Sequence, residues 1–265
     1  MSEPSSTETE ARLVVIGSAR GAVFESIKQL KLVLDVRIGD FKQLGLRDEY
    51  FDDAQGSLVQ QDCALRLREV TEGASKRTLL TFKGPAQITG ENCVERMELE
   101  APWSLEFLGK VREHLKARDI HWEGAAIGAD PLQVLGALGL RSIQVRENQR
   151  QTANMGLDGN PLAELCLDAV SYTAGEFVIE HREVEIEAHG ATSAQELLTL
   201  AVDFEERFPG ELLPWPWSKT AVGRGLERME RRAELAAHLK GRELDADGYK
   251  RLGVYLKLGA FMQEG

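Results

Sequence analysis

Charge in this sequence recurs with period two, and that alternation limits the chain to a sheet with two chemically opposed faces. In ALRLREV (residues 64 to 70) Leu65 and Leu67 alternate with Arg66 and Arg68, and in LLTFKGP (79 to 85) Thr81 and Lys83 share a face. VERMELE (94 to 100) sets Arg96, Glu98 and Glu100 against Met97 and Leu99. LAELCLDAV (162 to 170) and HREVEIEA (181 to 188) do the same with Glu164, Cys166 and Asp168, then Glu183, Glu185 and Glu187. A strand beginning at about Glu8 puts Glu8, Glu10 and Arg12 together, and SIQVRENQRQ (142 to 151) aligns Gln144, Arg146, Asn148 and Arg150. Side chains of an extended strand point alternately to opposite faces, so each segment has one charged and one apolar side.

Helical patterns lie between these segments. Ser18 can cap a stripe of Val23, Ile27, Leu30 and Leu34, and Ser104 one of Leu108, Val111 and Leu115. Asp130-Pro131 starts a short helix carrying Leu135 and Leu138 that stops at Gly139. Ser193 and Glu196 form a capping box ahead of Leu197, Ala201, Phe204 and Phe208. Two last patterns run through Leu226 and Met229, then Tyr249, Leu252 and Leu256, with Gly241 between them. LPWPWSKT (213 to 220) is too rich in proline for a helix or a central strand, and its tryptophans read as packing anchors. The hairpin from Arg68 to Leu79 is polar and expected to be mobile.

The helices need an apolar sheet face to cover. An ordinary half-buried sheet would turn its charged face to water. A helix-covered barrel instead turns the apolar face outward, under the helices, and the charged face into a lumen. The second solution accommodates both the helices and the roughly seven charged faces, so the expected class is α+β with a barrel.

Composition restricts function. A net charge of −11 over 265 residues argues against nucleic-acid or membrane-surface binding, which needs a dominant basic footprint. Cys63, Cys93 and Cys166 have no zinc-ligand spacing and read as reduced, buried thiols. Gly17 and Gly21 lack the lysine and hydroxyl of a P-loop. With no apolar run of about 18 residues, a cytoplasmic location is expected. The expected organisation is a disordered start (1–7), one domain (8–230) and a C-terminal helical appendage (231–265).

Charge sign also segregates by strand. Crowded carboxylates must be paired or bound to a cation, and closely spaced oxygen ligands suit Mg2+ or Mn2+. Cations grouped elsewhere suit phosphate oxygens. The ordered set ExE with a cation two residues on, DxYxD, ALRLR, LTFKGP, RxExE, an Arg-rich strand, ExxxD, ExExE and SK resembles the CYTH superfamily, the triphosphate tunnel metalloenzymes, over about Glu8 to Gly225.

The resemblance implies an eight-stranded antiparallel tunnel that binds a triphosphate and hydrolyses it with a divalent metal. By it, Glu8, Glu10, Glu98, Glu100, Asp168, Glu185 and Glu187 are the metal-side acids. Arg12, Arg66, Arg68, Lys83, Arg146, Arg150 and Lys219 are the phosphate-binding cations, and Glu10, Arg12 and Lys83 are expected to act in catalysis. One position departs from the family pattern, since Arg12 stands where a lysine is usual. Arginine keeps the charge and can grip phosphate with two donors, but it cannot serve as a deprotonated base. The expected activity is a metal-dependent triphosphatase on inorganic triphosphate or a small organic one, such as thiamine triphosphate or a nucleoside triphosphate. The alternatives are a CYTH-type adenylate cyclase and a non-catalytic polyphosphate or nucleotide sensor. The reading includes no nucleic-acid or membrane partner and leaves room for a homodimer.

Overall fold

The structure, a computed structural model, describes residues 6–16 and 20–261. Eight strands carry the fold: β1 (Ser6–Val15), β2 (Lys42–Asp52), β3 (Ala64–Glu72), β4 (Ser75–Lys83), β5 (Cys93–Pro102), β6 (Arg141–Leu157), β7 (Asn160–Ala174) and β8 (Phe177–Ala188). Their hydrogen-bonded order is β1-β5-β4-β3-β2-β6-β7-β8, and β8 pairs back onto β1. The order closes on itself, as the α+β antiparallel barrel expected from the sequence requires. The covering helices are α1 (Arg20–Gln29), α2 (Leu105–Lys116), α3 (Pro131–Ala137), α4 (Ala194–Arg207), α5 (Lys219–Arg231) and α6 (Ala246–Phe261).

Register sets which charges meet. Glu10 lies opposite Glu187 and Arg12 opposite Glu185 between β1 and β8, while Asp168 faces Glu183 between β7 and β8. Arg68 lies opposite Asp48 between β2 and β3, and Lys83 opposite Glu98 between β4 and β5. Because the side-chain period is two, a slip of one residue would exchange every charged position for an apolar one, so burial of the apolar face fixes the register.

The chain forms two compact units. One holds residues 45–86 and 96–146, with Ser6 and Thr7. In it Leu65, Leu67, Leu80, Phe82 and Leu99 pack against Phe107, Leu108, Val111 and Leu115 of α2 and Val134 and Leu135 of α3. Ser104 and Asp130 cap these helices through the backbone N–H groups of Phe107 and Gln133. Asp52 turns back to accept from the backbone N–H of Leu58 and Val59, ordering the short turn Ser57–Gln60.

The second unit holds residues 8–44, 87–95 and 147–261 among those described. Its first apolar cluster joins Ala11, Leu13, Leu165, Leu167, Val184 and Ile186 to Val23 and Ile27 of α1 and Leu197, Ala201 and Phe204 of α4. The second joins Val170, Tyr172 and Ile179 to Leu226 and Met229 of α5 and Tyr249, Leu252 and Leu256 of α6. The C-terminal segment therefore shares a core with β7 and β8. All three cysteines are free and buried.

Two local expectations need correction. β1 starts at Ser6, ahead of Glu8; residues 1–5, the rest of the expected disordered start, lie outside the described residues, as does Ser18. α1 ends at Gln29, and Leu34 is 45% exposed with φ 52° at the tip of the short hairpin Leu32–Val33/Val36–Ile38. The hairpin expected from Arg68 to Leu79 is present, its ladder continuing to Glu72 opposite Ser75 and turning through Gly73 at φ 57°. Glycine adopts that φ without steric cost, so the turn can be two residues long.

Leu67, 6% exposed in the first unit's core, should lose about 2 to 5 kcal/mol on replacement by alanine, as truncation of a buried leucine leaves a cavity. Urea denaturation of Leu67→Ala against the wild type measures it.

Candidate functional site

In the second unit, β1, β7 and β8 place their carboxylates around Arg150 of β6 and Lys219 at the start of α5. Arg150 grips Asp168 with two donors, Nε to Oδ1 at 2.7 Å and Nη2 to Oδ2 at 2.6 Å. The same guanidinium reaches Glu185 Oε2 at 2.5 Å and Glu187 Oε1 at 3.2 Å. Lys219 Nζ lies 2.9 Å from Asp168 Oδ2 and 2.5 Å from Glu185 Oε1, and also pairs with Glu183. Arg12 pairs with Glu10, stands 3.4 Å from Glu185 Oε1 and donates to the backbone carbonyl of Pro216. Asn148 adds a bond from Nδ2 to Asp168 Oδ1 at 2.9 Å.

Lys219 reaches this position because the short strand Leu212–Pro214 pairs with Leu13–Val15 of β1 just before it, and Ser218 then caps α5 through the N–H of Ala221. Tyr172 ties down the start of α5 by donating to the Lys219 carbonyl at 3.0 Å.

These cations decide the ionisation of their neighbours. Burial pushes the Asp168 carboxyl up, but Arg150 and Lys219 outweigh it and hold it below the usual range. Burial likewise opposes ionised Glu185, and Lys219 with Arg150 brings it down to about 2. Glu183, raised by burial and lowered by Lys219 and a His181 hydrogen bond, settles at about 2. Lys219 itself loses hydration on burial, yet Asp168, Glu183 and Glu185 raise it well above an ordinary lysine. Glu187 behaves oppositely: burial pushes it up to about 8, since the pull of Arg150 is countered by Glu185, Glu8 and Glu10.

Among the described residues, two carboxylate groups have oxygen atoms within 4.8 Å of one another, Glu8/Glu10/Glu187 and Asp168/Glu183/Glu185, and a mixed group joins Glu164, Cys166 and Glu187. The second group is compensated by Lys219 and Arg150. In the first, Arg12 pairs with Glu10 and Arg150 with Glu187, while burial and the neighbouring acids push Glu187 up.

The first unit contains a separate, more basic group. Asp48 accepts a two-donor grip from Arg68, Nε to Oδ1 at 2.6 Å and Nη2 to Oδ2 at 2.8 Å, and stands 3.6 Å from both Arg66 and Arg146. Arg146 also donates to Tyr50 Oη and lies over its ring, 4.3 Å from the centroid. Arg66 donates to Thr81 Oγ1 and Glu100 Oε2, both at 3.1 Å, and Lys83 Nζ is 3.3 Å from Glu98. Burial raises Asp48, but Arg68 and Arg66 hold it far below an ordinary aspartate.

The structure thus brings Glu8, Glu10, Arg12, Arg150, Asp168, Glu185, Glu187 and Lys219 together, and gathers Arg66, Arg68, Lys83, Arg146, Glu98 and Glu100 separately. Among the described residues Glu98 and Glu100 belong to neither carboxylate group; Glu98 pairs with Lys83, and Glu100 accepts from Arg66 and Thr81. Asp48, Glu183 and His181 were not singled out as site residues from the sequence. Asp48 and Glu183 were within reach of the period-two pattern, since each occupies the charged face of its strand.

A barrel of closed antiparallel strand order, with one apolar and one charged face on its strands, defines the class. A family model, the CYTH domain, matches residues 7–209, and the protein belongs to that family. No curated protein sequence matches the chain. The fold is similar to that of a Hippeastrum protein, studied as an adenylyl cyclase and described as revealing a dominant triphosphatase activity; the TM-score is 0.53 at 17% identity, covering 82% of this chain and 95% of that one. Lower scores relate it to a Pyrococcus horikoshii protein (TM-score 0.49, 15% identity, 84% and 99% covered) and to a Bacillus halodurans protein described as an adenylate cyclase candidate (0.45, 21%, 80% and 96%). Lys219, α5 and α6 lie beyond the matched residues.

Asp48 gives a test by pH. Its depressed folded-state pKa contributes stability that is complete above the unfolded value of about 4 and is lost as pH falls below it. Asp48→Asn should cost about 3 to 5 kcal/mol at pH 7, because it leaves buried arginines uncompensated, and its deficit against the wild type should narrow as pH is lowered toward 2. Urea titrations across that range check both.

Proposed function

We propose that the protein is a divalent-metal-dependent hydrolase of inorganic triphosphate or a small organic triphosphate. The observation that carries this reading is the Glu8/Glu10/Glu187 group. Three carboxylates sit within mutual reach, and Glu187 is pushed up to about 8. Three carboxylates with oxygens within reach of one ion make an all-oxygen set that suits a hard divalent cation, so the residues fit the metal that the family uses. Glu8, Glu10 and Glu187 would hold it. When bound, Mg2+ or Mn2+ supplies positive charge for phosphate oxygens.

The chain's own residues supply the rest. Arg12 and Lys219 are buried cations whose positions are set by Glu10, Glu185, Glu183 and Asp168, which places preorganised positive charge in the site for phosphate oxygens. Arg66, Arg68, Lys83 and Arg146 offer guanidinium and ammonium donors suited to phosphate, Arg66 and Arg146 being almost fully buried. Arg12 keeps a fixed charge where the family has lysine, which assigns it to binding and charge stabilisation, not to proton abstraction.

Triphosphate, thiamine triphosphate, ATP and longer polyphosphate, each with Mg2+ and with Mn2+, form the deciding panel. The proposal expects metal-dependent phosphate release from at least one triphosphate. Cyclic AMP and pyrophosphate from ATP would replace it with the cyclase, and binding without turnover with a sensor. Arg66→Ala should lose about ten- to a hundredfold in kcat/KM, as expected when one charge-assisted contact is removed. Glu187→Gln should lose at least about a hundredfold of the metal-dependent rate, whereas Arg12→Lys should stay active. Arg12→Lys falling below Arg12→Ala would contradict the role given to that position.

A further inference from the structure

A chain of buried polar contacts leads from the C-terminal helix to Lys219. Tyr249 on α6 has its Oη 3.1 Å from Nδ1 of His181 on β8. His181 Nε2 lies 3.4 Å from Glu183 Oε2, and the other oxygen of Glu183 pairs with Lys219. The Glu183 carboxylate can only accept, so the His181 N–H that faces it is on Nε2, and in the neutral imidazole Nδ1 is left to accept from the Tyr249 hydroxyl, which burial keeps protonated. His181, Glu183 and Tyr249 are 1%, 0% and 4% exposed, so water does not compete for these contacts.

The surroundings leave the chain little freedom. The His181 ring packs against Trp215 and Tyr249, with centroids 5.9 and 5.8 Å apart. Arg20 of α1 stands over the Tyr249 ring at 5.2 Å. α6 comes so close to α5 that a Cβ on Gly225 would meet Leu252 Cδ1 at 2.5 Å. α6 is thus tied to the same helix that carries Lys219 at its first turn.

We propose that His181 and Tyr249 are positioning residues for Lys219, acting through Glu183, and that α6 is therefore a working part of the active site although it lies beyond the family match. The functional consequence rests on the triphosphatase reading; the positioning does not. Glu183 has two tasks: one oxygen faces the lysine and the other is fixed by the imidazole. Without the imidazole the carboxylate can rotate, and the ammonium loses one of the three acids that aim it. The site would still hold phosphate, but with the ammonium misplaced, so the loss should fall on kcat more than on KM.

The test combines kinetics with a readout that needs no turnover. In 15N-labelled protein, the buried Lys219 ammonium resonance is identified by its loss in Lys219→Met, and Tyr249→Phe should shift it or hasten its exchange. Tyr249→Phe should also lower kcat about three- to tenfold with KM within about twofold, the range for one hydrogen bond. The double variant with Lys219→Met should be no slower than Lys219→Met alone, since the two act on one group. His181→Gln should keep more activity than His181→Ala. An unmoved Lys219 resonance in Tyr249→Phe, or losses that multiply independently with Lys219→Met, would overturn the proposal. If the wild type releases no phosphate from any substrate, the triphosphatase reading falls, and the resonance still decides the positioning.

Discussion

Several carboxylates on adjoining strands can stay ionised out of water only because two cations stand among them. Each buried anion costs several kcal/mol to desolvate, and like charges add to that cost. Arg150 and Lys219 offset it for Asp168, Glu183 and Glu185, which remain ionised. Glu187 rises instead, pushed up by burial and by Glu185, Glu8 and Glu10 against the pull of Arg150. The contrast separates carboxylates held ionised by Arg150 and Lys219 from one that burial and its acidic neighbours push up.

The same constraint explains the fold's construction. A charged face this dense demands a register held to the residue, and apolar packing of the opposite face supplies it through the helix-covered clusters of each unit. The first unit solves the converse problem, burying Asp48 among Arg66, Arg68 and Arg146. Such pairs add less to net stability than their distances suggest, because desolvation consumes much of the attraction. Their effect is to fix side-chain positions, which is what binding a highly charged anion requires.

Much of this was legible in the residues. Alternation of Leu65 and Leu67 with Arg66 and Arg68, and of Val184 and Ile186 with Glu185 and Glu187, gave both the strands and their charged faces. Capping residues Ser104, Asp130 and Ser193 marked helix starts because a side-chain oxygen there satisfies an otherwise unpaired N–H. Partnership was not legible. Nothing local says that Asp48 faces Arg68 or that Lys219 enters among acids some 34 to 51 residues earlier in the chain, because these depend on strand register and on the pairing of Leu212–Pro214 with β1. Leu34 was misplaced because helical spacing continued past Gln29 into a hairpin whose turn the pattern does not record. His181 and Tyr249 were hidden for the same reason as Asp48, since each looks like an ordinary core residue until its partner is known.

The chemistry proposed for this site turns on where a divalent ion settles. A crystal grown or soaked with Mn2+ and measured at a wavelength that excites manganese would place the ion directly by its anomalous scattering. The predicted result is a peak coordinated by oxygens of Glu8, Glu10 and Glu187, with Lys219 and Arg150 keeping their contacts to Asp168, Glu183 and Glu185. A peak instead among Asp168, Glu183 and Glu185 with Lys219 displaced, or no peak at either group at saturating Mn2+, would contradict it.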